Sequence, residues 1–108
     1  MKLFVSRTFF IAMKNYYVYI IRCSDGTYYT GMTSQLEIRI NQHIEGKYTD
    51  SYTYSRRPLE FVFYAEFREV QDAISWEKRI KKWSVAKKEA LIYNEYEKLP
   101  NLAKKKFK

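Results

Sequence analysis

The stretch from Tyr16 to Gly31, YYVYIIRCSDGTYYTG, constrains the chain more than any other. Val18, Tyr19, Ile20 and Ile21 are β-branched or aromatic, and Thr27 to Thr30 repeat the character. Such side chains suit a pleated, half-buried surface. Ser24-Asp25-Gly26 between the two runs is a turn signal, so the stretch reads as a β-hairpin. The turn decides which side chains meet. A two-residue Asp25-Gly26 loop would pair Arg22 with Tyr29 and put Tyr19 and Tyr29 on opposite faces. A three-residue Ser24-Asp25-Gly26 loop, with Gly26 in the left-handed bulge position, would pair Ile21 with Tyr29 and Tyr19 with Gly31, placing both tyrosines on one face. The second loop is preferred, because it sets Tyr19 opposite a residue with no side chain and leaves a shallow notch between two phenols.

The remaining chain fits one small domain. At 108 residues, 46% hydrophobic and 30% charged, it is long enough for one modest core and too apolar for a disordered chain. Its single cysteine excludes an internal disulfide and a cysteine-based zinc cluster, and fits a reducing, cytoplasmic setting. Cys23, at a strand end, is expected to be packed rather than reactive. A net charge of +8 points to a polyanionic partner, nucleic acid before an anionic membrane surface. Residues 1–15 read as an N-terminal extension. Within it, Lys2, Arg7 and the run Phe9 to Met13 only faintly resemble a signal peptide, and the run is far short of the ~20 residues that span a bilayer. Residues 1–12 are taken as an upstream extension from a misplaced start codon, with Met13 as the alternative start.

Beyond the hairpin, Thr33-Ser34 offers a cap for a helix reaching about Glu45, with Leu36, Ile40 and Ile44 as its apolar stripe and Gly46 as C-cap. Arg39 and His43, four apart, share a face at the border of that stripe. Residues 47–58, KYTDSYTYSRRP, mix Tyr48, Tyr52 and Tyr54 with Lys47, Arg56 and Arg57, a combination able to stack on bases and neutralise phosphates, or to pack on its own domain. Leu59 to Phe67 reads as a third strand, with Leu59, Phe61, Phe63, Ala65 and Phe67 on one face and Val62 and Tyr64 on the other. A helix from about Val70 to Trp83 follows. Glu77 sits inside its apolar stripe, where a carboxylate needs a salt bridge or a metal. Ser84 caps a third helix, expected over Val85 to Leu99. Lys78, Arg79, Lys81, Lys82, Lys87 and Lys88 form a basic region at the helix junction, suited to a phosphate backbone or simply solvated. Residues 100–108 read as a basic C-terminal tail.

Val18-Tyr19-Ile20 followed by Tyr29-Thr30-Gly31 resembles the paired tripeptides that name the GIY-YIG nuclease superfamily, with Val18 in place of the first glycine, as is common in the small stand-alone bacterial type. The resemblance continues through Leu36 to His43, Tyr52 to Leu59 and Ala73 to Ser84, and covers nearly all of residues 16–99. It implies an α+β fold, a three-stranded antiparallel sheet flanked by about three helices, as in the nuclease domain of an excision-repair incision protein and in certain homing and restriction endonucleases. It also implies a site: Tyr19 and Tyr29 as the motif tyrosines, Arg39 as the family arginine, His43 at a His-or-Tyr position, and Glu77 as ligand of Mg²⁺ or Mn²⁺. Asn94 is the only candidate for an asparagine of the last helix. Met32 replaces a lysine that some members carry. Tyr52, Arg56, Arg57, Lys78, Lys81, Lys82 and Lys87 are the expected nucleic-acid contacts. The implied chemistry is hydrolysis of DNA phosphodiesters, in single-stranded or branched DNA during repair or recombination, leaving 5′-phosphate ends. Either tyrosine could serve as base. The competing expectations are a nucleic-acid-binding module that cuts weakly or not at all, and a protein associated with RNA.

Overall fold

The structure, a computed structural model, describes residues 15–99; the expected basic tail, and the extension up to residue 14, lie outside them. Three strands, β1 (Tyr16–Arg22), β2 (Tyr28–Thr33) and β3 (Glu60–Phe67), form an antiparallel sheet in the order β2-β1-β3. Helix α1 (Leu36–Glu45) follows the hairpin, and α2 (Val70–Lys81) and α3 (Val85–Ile92) follow β3. The architecture is the expected α+β one.

The central place of β1 follows from its sequence. Val18 to Ile21 form an unbroken buried run, which only a strand covered on both faces can use. Val18 and Ile20 face α2, where they pack with Ala73 and Ile80 and, at the periphery, with Phe63, Phe67 and Trp83. Tyr19 and Ile21 face the other way and pack with Ile40 of α1, Leu36 and Leu59. Full burial of Val18, Ile20 and Ile21 contributes roughly 1.5–3 kcal/mol for each side chain.

The hairpin adopts the three-residue loop. Tyr19 pairs with Gly31 and Ile21 with Tyr29. Cys23 N–H donates to the Thr27 carbonyl at 2.8 Å, Gly26 N–H donates to the Cys23 carbonyl at 3.0 Å, and Gly26 takes φ +85°. Asp25 braces the turn by accepting from the Thr27 N–H and hydroxyl. Cys23 is buried, as expected.

Several local expectations are corrected. Helix α1 is preceded by Gln35, which makes no side-chain cap bond; Thr33 instead accepts from the Gln35 N–H at 3.0 Å in a turn before the helix. Gly46 ends α1 in the left-handed region, at φ +71°, as expected. Ile44 is exposed, and His43 takes the inward position beside Ile40. In β3 the register shifts between Ile20 and Ile21, so Ile20 pairs with Phe63 while Ile21 pairs with Phe61. Val62 is the extra residue of a bulge, which swaps the faces. Leu59 therefore joins the Tyr19 side, where Phe61 stacks on Tyr64 at 6.0 Å, and Val62 joins the α2 side. Helix α3 is shorter than expected. Ser84 caps it, accepting from the Lys87 N–H at 3.2 Å, but it ends at Ile92 because Asn94 turns to φ +60°. A 3₁₀ turn, Tyr96–Lys98, follows.

Gly31 is the tightest point of the sheet. A Cβ there would lie 2.5 Å from both Cζ and Oη of Tyr19. Gly31→Ala is expected to destabilise the fold by about 1–3 kcal/mol, as overpacking does, seen as a lower midpoint of urea unfolding with an unchanged slope.

Candidate nuclease site

The Tyr19 phenol lies across Gly31 and is almost completely buried, at 1% exposure. Its Oη is 2.9 Å from Nε2 of His43, which α1 turns inward. The other nitrogen of His43, Nδ1, is 2.8 Å from Oγ1 of Thr53, and Thr53 Oγ1 is 2.9 Å from Oγ of Ser51. Tyr29, on the same face of the sheet, packs its ring 5.3 Å from the imidazole and 6.3 Å from the Tyr19 ring, centroid to centroid. Three of the expected site residues are thus in direct contact.

Arg39 and Glu77 act on this cluster through charge. Burial pushes the Tyr19 phenol well above the ordinary tyrosine range. Tyr29 adds to that shift, Arg39 opposes it through its charge and a hydrogen bond, and Glu77 reinforces it. Burial and the Arg39 charge both hold the His43 imidazole below its ordinary value. The pair is therefore held as neutral phenol and neutral imidazole. Arg39 itself is exposed, and its Nε donates to Gln42 Oε1 at 3.1 Å. Glu77, on the half-buried border of α2, accepts from Lys81 Nζ at 2.8 Å, a salt bridge being one of the two partners expected for a carboxylate in an apolar stripe.

The loop of residues 47–58 closes over the cluster. The Tyr52 ring stacks on Tyr29 at 5.9 Å, with 23° between planes, and the Arg56 guanidinium sits 3.8 Å from the Tyr52 centroid. Arg56 also pairs with Asp25 of the hairpin turn at 3.1 Å and donates to the Tyr52 carbonyl. Arg57 lies against Tyr54 and over Gly46, where an added Cβ would come within 2.5 Å of the guanidinium. Of the expected nucleic-acid contacts, Tyr52, Arg56 and Arg57 therefore hold the loop in place as well as lining it. Lys78, Lys81 and Lys82 are exposed along α2 and its end, and Lys87 lies 4.2 Å over the Trp83 ring. Asn94 lies beyond α3, exposed and accepting from the Tyr96 hydroxyl at 2.7 Å.

Thr53 and Ser51 escaped the sequence reading. A hydroxyl in a polar loop carries no periodic signal, and the only hint was the position of Thr53 between two tyrosines. Yet Thr53 is 1% exposed, and the pocket it shares with His43, Ser51 and Gln42 holds about 10 Å³, at the threshold for one water.

As a donor set for a cation, Glu77 offers one hard carboxylate. Among the described residues no group of three or more His, Cys, Asp and Glu side chains could hold a metal ion. A single carboxylate fits Mg²⁺ or Mn²⁺, which keep several waters and take further oxygens from a phosphate substrate. Lys81 is half exposed and Glu77 is only 16% exposed, so an ion would have to displace Lys81 from a largely covered carboxylate.

Tyr19 and Tyr29 come from β1 and β2 of the small antiparallel sheet, Arg39 and His43 from α1, and Glu77 from α2. A model of the GIY-YIG catalytic domain matches residues 15–90, and the chain belongs to that family. Its relatives are small bacterial and archaeal proteins. A UPF0213 protein of Syntrophus aciditrophicus is 44% identical over 80 residues, covering 74% of this chain and 92% of the relative. UPF0213 protein VNG_2274C of Halobacterium salinarum is 42% identical over 77 residues, covering 71% and 99%. The solution NMR structure of UPF0213 protein BH0048 from Bacillus halodurans is 40% identical, covers 73% of this chain and 83% of that one, and superposes with a TM-score of 0.49. Among the described residues no helix is long and apolar enough to cross a membrane.

The buried neutral imidazole has a consequence for stability. The unfolded chain takes up a proton on His43 near the ordinary value of 6.5, whereas the folded chain resists it until lower pH. This contribution is full above 6.5 and is lost as pH falls toward the folded value. Between about pH 7 and about pH 5 the thermal midpoint is expected to fall more steeply for the wild type than for His43→Gln, measured by circular dichroism.

Proposed function

We propose that the chain is a metal-dependent endonuclease that hydrolyses phosphodiester bonds in DNA, single-stranded or branched, and leaves 5′-phosphate and 3′-hydroxyl ends. The observation that carries this reading is the 2.9 Å contact between Tyr19 and His43, with the charges of Arg39 and Glu77 bearing on the same phenol. A protein that merely packed a tyrosine would have little reason to bury an imidazole against its hydroxyl.

The arrangement explains how a phenol could take part at neutral pH. Tyr19 alone is a poor base, because burial opposes its ionisation. His43, kept neutral, can accept a proton. As water attacks phosphorus, its proton passes to Tyr19 Oη while the Tyr19 proton passes to His43 Nε2, so the tyrosine is restored and the histidine carries the charge. Arg39 would neutralise a non-bridging phosphate oxygen. Glu77 would hold Mg²⁺ or Mn²⁺, which when bound supplies positive charge to the scissile phosphate and the leaving oxygen. Access to Tyr19 requires Tyr52, the exposed ring over Tyr29, to turn aside as the strand enters. Lys78, Lys82 and Lys87 would follow the phosphate backbone. One domain of this size has little surface for reading a long sequence, which favours recognition of strand structure. Work in DNA repair inside the cytoplasm is the setting that suits such an enzyme.

A second reading has its own support. Glu77 is engaged by Lys81, and Tyr52 covers Tyr29, as a nucleic-acid-binding module without turnover would allow. Labelled single-stranded, duplex and forked DNA, incubated with Mg²⁺ or Mn²⁺, separates the two. Cleavage is expected to need the ion and to fall by at least about 100-fold in Glu77→Ala, with binding retained. Salt-sensitive binding without cutting on any of these substrates would establish the module, and RNA would then be the substrate to examine.

A further inference from the structure

We infer that Thr53 is a positioning residue that fixes the tautomer of His43, so that the proton sits on Nδ1 and Nε2 faces Tyr19 as an acceptor. This rests on the nuclease reading only for its consequence in turnover; the tautomer itself follows from hydrogen-bond accounting.

Two arrangements of the Tyr19–His43–Thr53–Ser51 chain are conceivable. In one, Nε2–H donates to Tyr19 and Thr53 donates to Nδ1. The Tyr19 proton then needs another acceptor. Tyr19 is 1% exposed; Arg39 can only donate, Tyr29 and Glu77 act on the phenol through charge without hydrogen-bonding it, and among the described residues His43 is the only acceptor within hydrogen-bond reach of its oxygen. A buried hydroxyl proton without an acceptor is costly. In the other arrangement Tyr19 O–H donates to Nε2, Nδ1–H donates to Thr53 Oγ1, and the Thr53 hydroxyl donates to Ser51 Oγ. The distances are 2.9, 2.8 and 2.9 Å, and every buried proton has an acceptor. Ser51 Oγ is suited to the end of the chain. It already accepts from the Thr53 N–H at 3.2 Å and is half-buried, so its own proton can turn toward solvent.

The consequence is directional. With Nδ1 protonated, the open lone pair of the imidazole is on Nε2, toward Tyr19, and the charge that arrives there is spread onto an Nδ1–H already held by an oxygen acceptor. Thr53 touches neither substrate nor reacting atoms and acts only through His43.

The test combines a spectrum with kinetics. ¹⁵N ring resonances of His43 at neutral pH are expected to show Nδ1 in the protonated range and Nε2 in the unprotonated range. Thr53→Val keeps the shape of the side chain but removes the acceptor; it is expected to populate the Nε2–H form and to lower kcat about 10- to 100-fold, the range for losing a group that orients a functional imidazole, with KM unchanged. Thr53→Ser restores the hydroxyl and is expected to recover both the spectrum and kcat. A wild-type ring protonated on Nε2, or a folded Thr53→Val protein with the wild-type tautomer, would overturn the proposal. If Thr53→Val does not fold, the wild-type and Thr53→Ser ring spectra decide alone. The spectrum needs no turnover, so an inactive wild-type protein would count against the nuclease reading while the tautomer stands or falls by its resonances.

Discussion

The close approach of the Tyr19 ring to Gly31 is the constraint on which the rest of the molecule depends. The phenol can lie flat across β2 only because Gly31 has no Cβ. It faces the right partner only because the hairpin turn holds three residues, with Gly26 in the left-handed region. Shortening the loop by one residue would put Tyr19 and Tyr29 on opposite faces of the sheet. The hydroxyl would then lose the imidazole that α1 brings to it. Fold and site are therefore set by one register, and the two glycines that fix it lie five residues apart in the same hairpin.

That register was legible in the sequence because glycine announces it twice, at the turn and opposite a bulky ring. The pairing of Arg39 with His43 was legible from helical spacing, and the awkward position of Glu77 from the apolar stripe it interrupts. The bulge at Val62 was not. Phe61, Val62, Phe63 and Tyr64 are all apolar or aromatic, so an extra residue leaves no break in alternation to betray the swap of faces. The early end of α3 was hidden for a similar reason. Asn94 is acceptable in a helix, but asparagine also tolerates the left-handed conformation it adopts. Thr53 was hidden because the value of a buried hydroxyl depends on which distant side chain reaches it, and a loop has no period from which to infer that.

The basic character of the chain does two kinds of work. Arg56 binds the loop to the hairpin turn through Asp25 and covers the exposed side of Tyr52, while Arg57 clasps the end of α1. Holding these side chains costs conformational freedom, yet their charge still contributes to the field outside the protein. The loop can thus be ordered over the notch and still attract a phosphate backbone. The lysines of α2 and its end, more exposed, add to that field without closing the notch.

Burial moves the two members of the proton pair in opposite directions on the pH scale but toward the same neutral form: it raises the phenol and lowers the imidazole. The resting site is consequently O–H···N rather than a phenolate beside an imidazolium. Arg39 works on both members, favouring a phenolate and disfavouring an imidazolium, so it cannot by itself tip the balance. Glu77 works against the phenolate. On the proposed nuclease reading, a divalent cation held by Glu77 would turn that local negative charge into a positive one and reverse its push on Tyr19. An incoming phosphate, in turn, would offset the Arg39 charge that disfavours a protonated His43. Transfer of the Tyr19 proton to His43 would be eased when ion and substrate are both present, and the domain would gain a means of keeping its base neutral until there is a phosphodiester to cut.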